Sequence, residues 1–373
     1  SSYLNNISDV TRNLEMSHSV LTEVNGNLTR TRQLLTQVIS GTYGETAQQT
    51  IAEEVNSLLE QVMTLANTKS LGRYIFGGTN VGSAPFAAQR TSGKITSVEY
   101  AGNFRDLPVP VAPGIEYPGL MVGGELFWAN DRQAPVFFGD TGAATGSQTS
   151  TARGDLLLTV EHDATVIAGG SGVATGASTA DDTIVGEHTL TLTSGAVDEV
   201  SLDGGPPVEF DGTETNLAGT NADGATVHLD MTGWAGFTGD GDVTGEAKLS
   251  LDEGGTPTAV ASFVDNVAVA DPATGRVLYV DATNLKQEGA DPVHVDGTED
   301  VFSTLIHVRD TLENKDGLPE GLHKKVLKEA LNSLEDVSKV VNNRLTALGG
   351  RLEATDILKN SLESIELRAE QQA

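Results

Sequence analysis

Both ends of this chain are written in heptads, and that patterning constrains the fold more than any other feature. Ile7, Leu14, Leu21, Leu28 and Leu35 recur every seven residues, with Val10, Val24 and Val38 in the partner row and Ser17 and Thr31 as polar interruptions. Near the other end Leu334, Val337, Val341, Leu345, Leu348, Leu352, Thr355, Leu362 and Ile365 mostly keep the same 3,4 spacing. An apolar stripe of this period lies on one face of a helix and must pack against another helix. The simplest partner for each terminal helix is the other one. The chain then closes into a helical rod, and its middle becomes an insertion. That organisation reads as an assembly subunit rather than an enzyme.

The first helix is expected from about Leu4 to Ile39, broken by Gly41, Tyr43 and Gly44. A second begins near Glu45, carries Ile51, Val55, Leu58, Val62 and Leu65 on one face, and is expected to end around Gly72. The short connection predicts an antiparallel pair. Helix returns at Glu299 through Val301, Leu305, Val308 and Leu312, breaks at residues 315–319, and resumes near Glu320 to the end. Gly349 and Gly350 inside that last helix suit a close helix approach or a bend.

Between these ends the pattern changes. Residues 95–128 read as short strands with Pro/Gly turns, among them Pro108, Pro110, Pro113 and Gly114. Ala129 to Thr151 is small, polar and Gly-rich, and reads as a boundary or flexible loop. The stretch from about Gly154 to Ala290 looks all-β. Strand-sized runs at 156–160, 188–192, 227–231 and 247–251 are separated by Gly, Asp and Asn, as in a sandwich or small barrels. Gly169 to Ala180 reads as a mobile loop, and no long exact repeat is visible.

The net charge of −29 is concentrated in the middle: from Asn130 to Asp296 there are 27 Asp and Glu against 5 Lys and Arg, a net of −22. Such a surface repels phosphates and argues against nucleic acid as a partner. It reads as a solvated outer face. There is no cysteine, so disulfides and thiolate chemistry are excluded. No apolar run is long enough to insert in a membrane, and no signal peptide is visible. The sequence begins at Ser1 without Met and starts and ends inside helical pattern, which reads as a fragment.

Candidate chemistry is sparse. His18, His162, His188, His228, His294, His307 and His323 are scattered without zinc-ligand spacing. There is no nucleophile elbow and no phosphate-binding loop. The best cation candidate is Asp240, Asp242 and Glu246, acids at positions one, three and seven of a twelve-residue loop with none at twelve. An acidic turn is the preferred reading there. No catalytic constellation, cofactor or metal site is expected.

Several separated stretches resemble one family. Residues 53–61, then Ala66-Asn67-Thr68, then the run Gly72-Arg73-Tyr74-Ile75-Phe76-Gly77-Gly78-Thr79 resemble the second helix and exit turn of flagellin-like proteins. That run is most similar to the branch that joins hook to filament, hook-associated protein 3. Pro85-Phe86, Tyr100-Ala101-Gly102-Asn103 and the run from Gly123 to Phe127 resemble the hairpin region that follows. Residues 340–353 resemble the C-terminal helix that the family shares. The resemblance covers roughly the first 130 and last 75 residues and leaves the middle without a match. The family's extreme terminal segments are absent from this sequence.

The resemblance implies a multi-domain α+β chain. Residues 1–130 and 297–373 would form a discontinuous helical rod domain with β-hairpins, its long helices antiparallel and coiled-coil-like. Residues 131–296 would form an inserted acidic β-rich outer domain, of one or two subdomains. The rod core is expected at Ile7, Val10, Leu14, Leu21, Val24, Leu28, Leu35, Ile51, Val55, Leu58, Val62, Leu65, Val337, Val341, Leu345, Leu348 and Leu352. The implied role is a structural adaptor of the bacterial flagellum, outside the cell and exported through the flagellar apparatus. Hook-associated protein 1, flagellin, neighbouring copies in a ring and an export chaperone are the implied partners. Candidate subunit contacts are Arg30, Arg32, Arg73, Tyr74, Asn342 and Arg344, with the aromatics of 73–76 alternatively plugging the rod against the hairpins. A flagellin filament subunit is the alternative. A carbohydrate- or host-binding β module, resting on Phe137, Phe138, Phe210, Trp234, Phe237, Phe263 and Tyr279, is a weaker one.

Overall fold

The computed structural model describes residues 2–41, 43–105, 108–112, 114–129, 131–251, 256–271 and 274–372. Pro113 and Asn130, named above as turn and boundary residues, lie outside these. The chain divides into two compact units, Ser1–Arg132 with Asp296–Ala373, and Gln133–Val295.

The first unit is built on α1 (Ser2–Ser40), α2 (Glu45–Ala66), α4 (Val301–Leu312) and α5 (Glu320–Gln372), with α3 (Gly123–Phe127) as a single turn. The heptad stripe explains the packing. Ile7, Leu21, Val24, Leu28 and Leu35 are fully buried and share one core with Val55, Leu59 and Val62 of α2, Leu305 and Val308 of α4, and Leu334, Val337 and Val341 of α5. Ser17 and Thr31 are buried in the same seam. Each hydroxyl donates to the carbonyl four residues back, Asn13 and Asn27, at 2.8 and 2.9 Å, which removes the cost of a buried unpaired hydroxyl. Salt bridges fix the neighbours of α1: Arg30 to Glu54 and Arg32 to Glu335, both 2.7 Å. Asp300 caps α4, its carboxylate accepting from the amides of Phe302 and Ser303.

Helix α2 ends at Ala66, six residues before the expected Gly72. The cause is Asn67. Its side chain pairs with the backbone of Phe86 in both directions, accepting from the amide at 3.1 Å and donating to the carbonyl at 3.0 Å. The chain then enters a tight hairpin, β1 (Lys69–Ser70) and β2 (Arg73–Tyr74), whose turn holds Leu71 and Gly72 at positive φ. Two further antiparallel hairpins follow: β3 (Phe86–Thr91) with β4 (Lys94–Tyr100), and β5 (Pro108–Ala112) with β6 (Ile115–Pro118). An aromatic cluster of Phe76, Phe86, Phe127 and Phe302 locks the β3–β4 region onto the helices, with ring centroids 5.0–5.7 Å apart.

The second unit contains strands β7 (Val136–Phe137), β8 (Ala144–Thr145), β9 (Gly154–Ile167), β10 (Ala174–Thr175), β11 (Gly186–Thr193), β12 (Asp198–Leu202), β13 (Val208–Phe210), β14 (Leu217–Thr220), β15 (Thr226–Asp230), β16 (Gly239–Leu251), β17 (Thr258–Val260), β18 (Val267–Ala270), β19 (Val277–Asp281) and β20 (Gly289–Val295). One eight-stranded antiparallel sheet runs β13-β12-β11-β16-β9-β20-β7, with β17 also on β16. Two three-stranded sheets, β10-β15-β14 and β18-β19-β8, complete the unit over two separate apolar cores. Neither Gly-rich stretch expected as loop is structureless: 129–151 contains β7 and β8, and 169–180 contains β10 and the start of a 3-10 turn.

Candidate functional site

Among the described residues no catalytic cluster organises the helical unit; what it offers is surface. Of the expected core residues, Ile7, Val10, Leu14, Leu21, Val24, Leu28, Leu35, Val55, Leu58, Val62, Val337, Val341 and Leu348 are buried. Ile51, Leu65, Leu345 and Leu352 are half-buried against the same core. The C-terminal stripe stops earlier than its pattern suggests. Thr355 is buried, but Ile365 is 59% exposed, as are Ile357 and Leu367 to a similar degree. Past Leu358 the seam has run out of facing apolar side chains. Nothing lies within 4 Å of a Cβ placed on Gly349 or Gly350. The close approach expected at that pair is therefore not made inside this chain, and α5 runs unbroken through it.

The candidate contact residues separate into two groups. Arg30 and Arg32 are engaged within the chain, by Glu54 and Glu335. Arg73 is exposed and Tyr74 half-buried beneath Lys69, whose ammonium lies 4.4 Å from the ring centre, while Ile75 and Phe76 are buried. The 73–76 run thus does two jobs in alternate directions: its second half plugs the core and its first half faces out. Asn342 is exposed and Arg344 half-buried on α5. Leu71 stands 83% exposed at the tip of the β1–β2 turn, beside a cleft of about 450 Å³ lined by Asn6, Arg12, Asn13 and Arg73. A second cleft, about 830 Å³, lies between the α1–α2 and α4–α5 turns and is lined by Val38, Tyr43, Leu312, His323 and Lys328.

Sequence reasoning missed Arg309. It is 2% exposed, and its guanidinium donates to Asn56 Oδ1 at 3.0 Å, to the Ile95 carbonyl at 2.8 Å and to Asp310. One side chain thereby ties α4 to α2 and to strand β4. Around it, Lys94 is held between Glu313 and Glu53, which keep its ammonium above the usual lysine range. The hydrogen-bonded Arg90 guanidinium holds the Glu60 carboxyl below the usual carboxylate range. A single Arg in the last turn of an amphipathic helix carries no signal that distinguishes it from a solvated one.

The cation candidate fails on geometry. Asp240, Asp242 and Glu246 all lie in β16, not in a loop or turn. A strand rises about 3.3 Å per residue, which spreads the three over about 20 Å and prevents convergence on one ion. Asp240 instead accepts from the Thr191 hydroxyl across the sheet at 2.8 Å. Three histidines of the second unit are paired with aspartates: His188 with Asp203, His228 with Asp182 and His294 with Asp155, at 2.7–2.9 Å. Of the aromatics considered for a carbohydrate platform, Phe210 is buried and the other six are half-buried. Phe210 meets Trp234 edge-on at 4.9 Å, and Phe137, Phe237 and Phe263 pack against the cores.

The described residues give a long-helix unit with hairpins, interrupted by a β-rich unit, and this architecture is similar to that of flagellin-like proteins. Residues 1–81 match the family model described as the bacterial flagellin N-terminal helical region. The fold is that of hook-associated protein 3 structures. The flagellar hook-associated protein-3 from Legionella pneumophila aligns over 99% of this chain and 94% of its own, with a TM-score of 0.51 at 18% identity. FlgL from Xanthomonas campestris aligns over 99% and 96%, with a TM-score of 0.50 at 19% identity. None of the curated protein sequences compared with the chain matches it.

Proposed function

We propose that this protein is a structural adaptor of the bacterial flagellum, joining the hook to the flagellin filament. The observation that carries this reading is the combination of a flagellin N-terminal helical region with a hook-associated protein 3 fold across the whole chain. The work is geometric. Helical units pack side by side in a ring, with hook-associated protein 1 on one side and flagellin on the other. Arg73, Tyr74, Asn342 and Arg344 are the proposed contact residues, Arg and Tyr being favoured interface anchors, joined by Leu71, which stands exposed at the tip of the β1–β2 turn. No catalytic step, cofactor or metal enters this role. The protein acts outside the cell as part of the flagellum, reached through the flagellar export apparatus, with an export chaperone as a transient partner.

Immunogold electron microscopy of intact flagella, with antibody raised against this chain, tests the reading. Label confined to the point where hook meets filament supports the adaptor. Label along the filament makes the protein a flagellin subunit, and no label on the appendage overturns both.

A further inference from the structure

The two apolar cores of the second unit belong to two copies of the same arrangement. In one, β11 pairs with β12, β12 with β13, and β11 on its other side with residues 239–245 of β16. In the other, residues 158–162 of β9 pair with residues 247–251 of β16, those with β17, and β9 on its other side with β20, while residues 164–167 of β9 continue onto 243–246 and join the two sets into one sheet. Each set is a four-stranded sheet in the order third, second, first, last. Over each lies a hairpin, β14–β15 or β18–β19, extended by a short strand that precedes the set, β10 or β8. The seam between the copies is the bulge at Glu246/Ala247, where β16 changes from the last strand of one to the second strand of the other.

The correspondence holds residue by residue. Ala174 and Thr175 pair with Asp230 and Leu229, as Ala144 and Thr145 pair with Asp281 and Val280. Asp230 accepts from the amide and hydroxyl of Thr232, and Asp281 does the same with Thr283. The amides of Gly176 and Gly146 donate to the carbonyls of His228 and Tyr279. Asn216 Oδ1 accepts from Ser178, and Asn266 Oδ1 from Gln148. Gly172 and Gly142 both have positive φ. A Cβ there would stand 2.3 Å from the Gly233 carbonyl oxygen and 1.9 Å from that of Asn284. The sequence retains traces at matching places, Ala-Thr-Gly at 144–146 and 174–176, and Ser-Leu-Asp at 201–203 and 250–252.

We infer that the β-rich unit is a nested duplication. A module of about residues 168–245 is inserted between the first and second strands of a second copy of itself, and each copy is its own cooperative folding unit. The nesting hides the repeat from the sequence: matching residues are 30 apart before the insertion point and 49 to 51 apart after it, so no single period exists. The copies have diverged inside. The inserted one carries the Asp182–His228 and Asp203–His188 pairs, with Asp182 and His188 buried, whereas the host carries Tyr279 at the place of His228.

Hydrogen exchange of the full chain, read by mass spectrometry, tests this with one core variant per module. Val227 and Leu278 occupy matching, fully buried positions. Val227→Asp is expected to speed exchange at least about tenfold in β11, β12, β14 and β15 while β18–β20 and the helical unit keep their protection. Leu278→Asp is expected to do the reverse. Variants that each deprotect both modules together overturn the independence of the copies. A second chain replaces residues 166–244 with the Ser-Gly-Ala-Val turn that joins β11 to β12. Retained protection in Val277–Asp281 supports the insertion, and free exchange of that strand overturns it.

Discussion

The two units bury apolar stripes by the same rule but differ in how tightly the pattern specifies the partner. Helix α1 packs on α5 about 300 residues away, because any matching stripe will serve. In the helical unit a stripe of period 3.5 is local. Seven residues repeat, the face is defined, and any second stripe of matching length satisfies it. In the β-rich unit each strand also alternates, as the burial of β11 and β16 shows, and its partner too can lie tens of residues away. β9 pairs with β16 and β20, more than 70 residues on. Helical packing is therefore robust to what is inserted between its helices, while the sheets depend on a specific nesting of the chain.

The comparison breaks most visibly in the helical seam. Leu28→Asp puts a charge where no water reaches, and a loss of about 3–5 kcal/mol is expected. Thermal melts followed by helical circular dichroism check it. Asp198→Ala in the β-rich unit is the contrast, at about 0.5–1 kcal/mol. Its carboxylate is not idle, since it accepts from the Gly195 amide in the β11–β12 turn at 3.1 Å. A Leu28→Asp chain that melts like its parent would mean that the terminal helices are not packed as described.

Next comes Arg309. Arg309→Met keeps much of the volume but strands the Ile95 carbonyl and Asn56, and a loss of about 2–4 kcal/mol is expected. Because this residue ties β4 to two helices, exchange in the β3–β4 hairpin should rise before that in α1 and α5. Uniform loosening of the unit would instead make Arg309 an ordinary core residue.

Within the β-rich unit, acid separates the modules. Desolvation pushes Asp203 up, but the Thr189 amide, the His188 ring and Asn221 outweigh it and hold the carboxyl below its ordinary value. Its contribution is complete above the unfolded carboxylate value of about 3.9 and is lost as pH falls through the lower folded value. Asp291 is opposite. Burial raises it, offset in part by the Thr141 hydroxyl, and nearby Asp140 raises it further. Its charged form is therefore a penalty at neutral pH, relieved as pH falls through the raised value. Exchange between pH 7 and 3 should show the inserted module loosening first, and Asp291→Asn should remove the host's gain on acidification. Parallel loosening of both modules with no effect of the Asn substitution would discard this sign assignment.

Much of the fold class was legible because heptads are local. The long terminal helices, the α1–α2 turn at Gly41 and Gly44, and the strands at 156–160, 188–192, 227–231 and 247–251 all follow from short-range pattern. The errors arose where a distant residue decides. Helix α2 stops early because Asn67 finds Phe86, nineteen positions on. Asp240 and Asp242 resemble a turn in composition, yet β11 recruits them as strand. Arg309 looks solvated until β4 is placed over it. The nested repeat needs the pairings themselves before its two offsets can be read.

The smallest expected effect concerns Gly349 and Gly350, where the helical unit itself departs from a well-specified helix. Each glycine costs about 0.8–1 kcal/mol relative to alanine in a helix interior, and no neighbour in this chain occupies the space above them. Gly349→Ala or Gly350→Ala should therefore stabilise the isolated protein by up to about 1 kcal/mol, raising its melting temperature by a few degrees at most. If either lowers stability, something in the chain does approach that face, and the seam between α1 and α5 is closer there than described. If both raise it, the glycines serve no purpose in the fold of a single chain. Crosslinking of assembled flagella through a cysteine at Ser338 or Thr346 would then ask whether a neighbouring subunit meets this face.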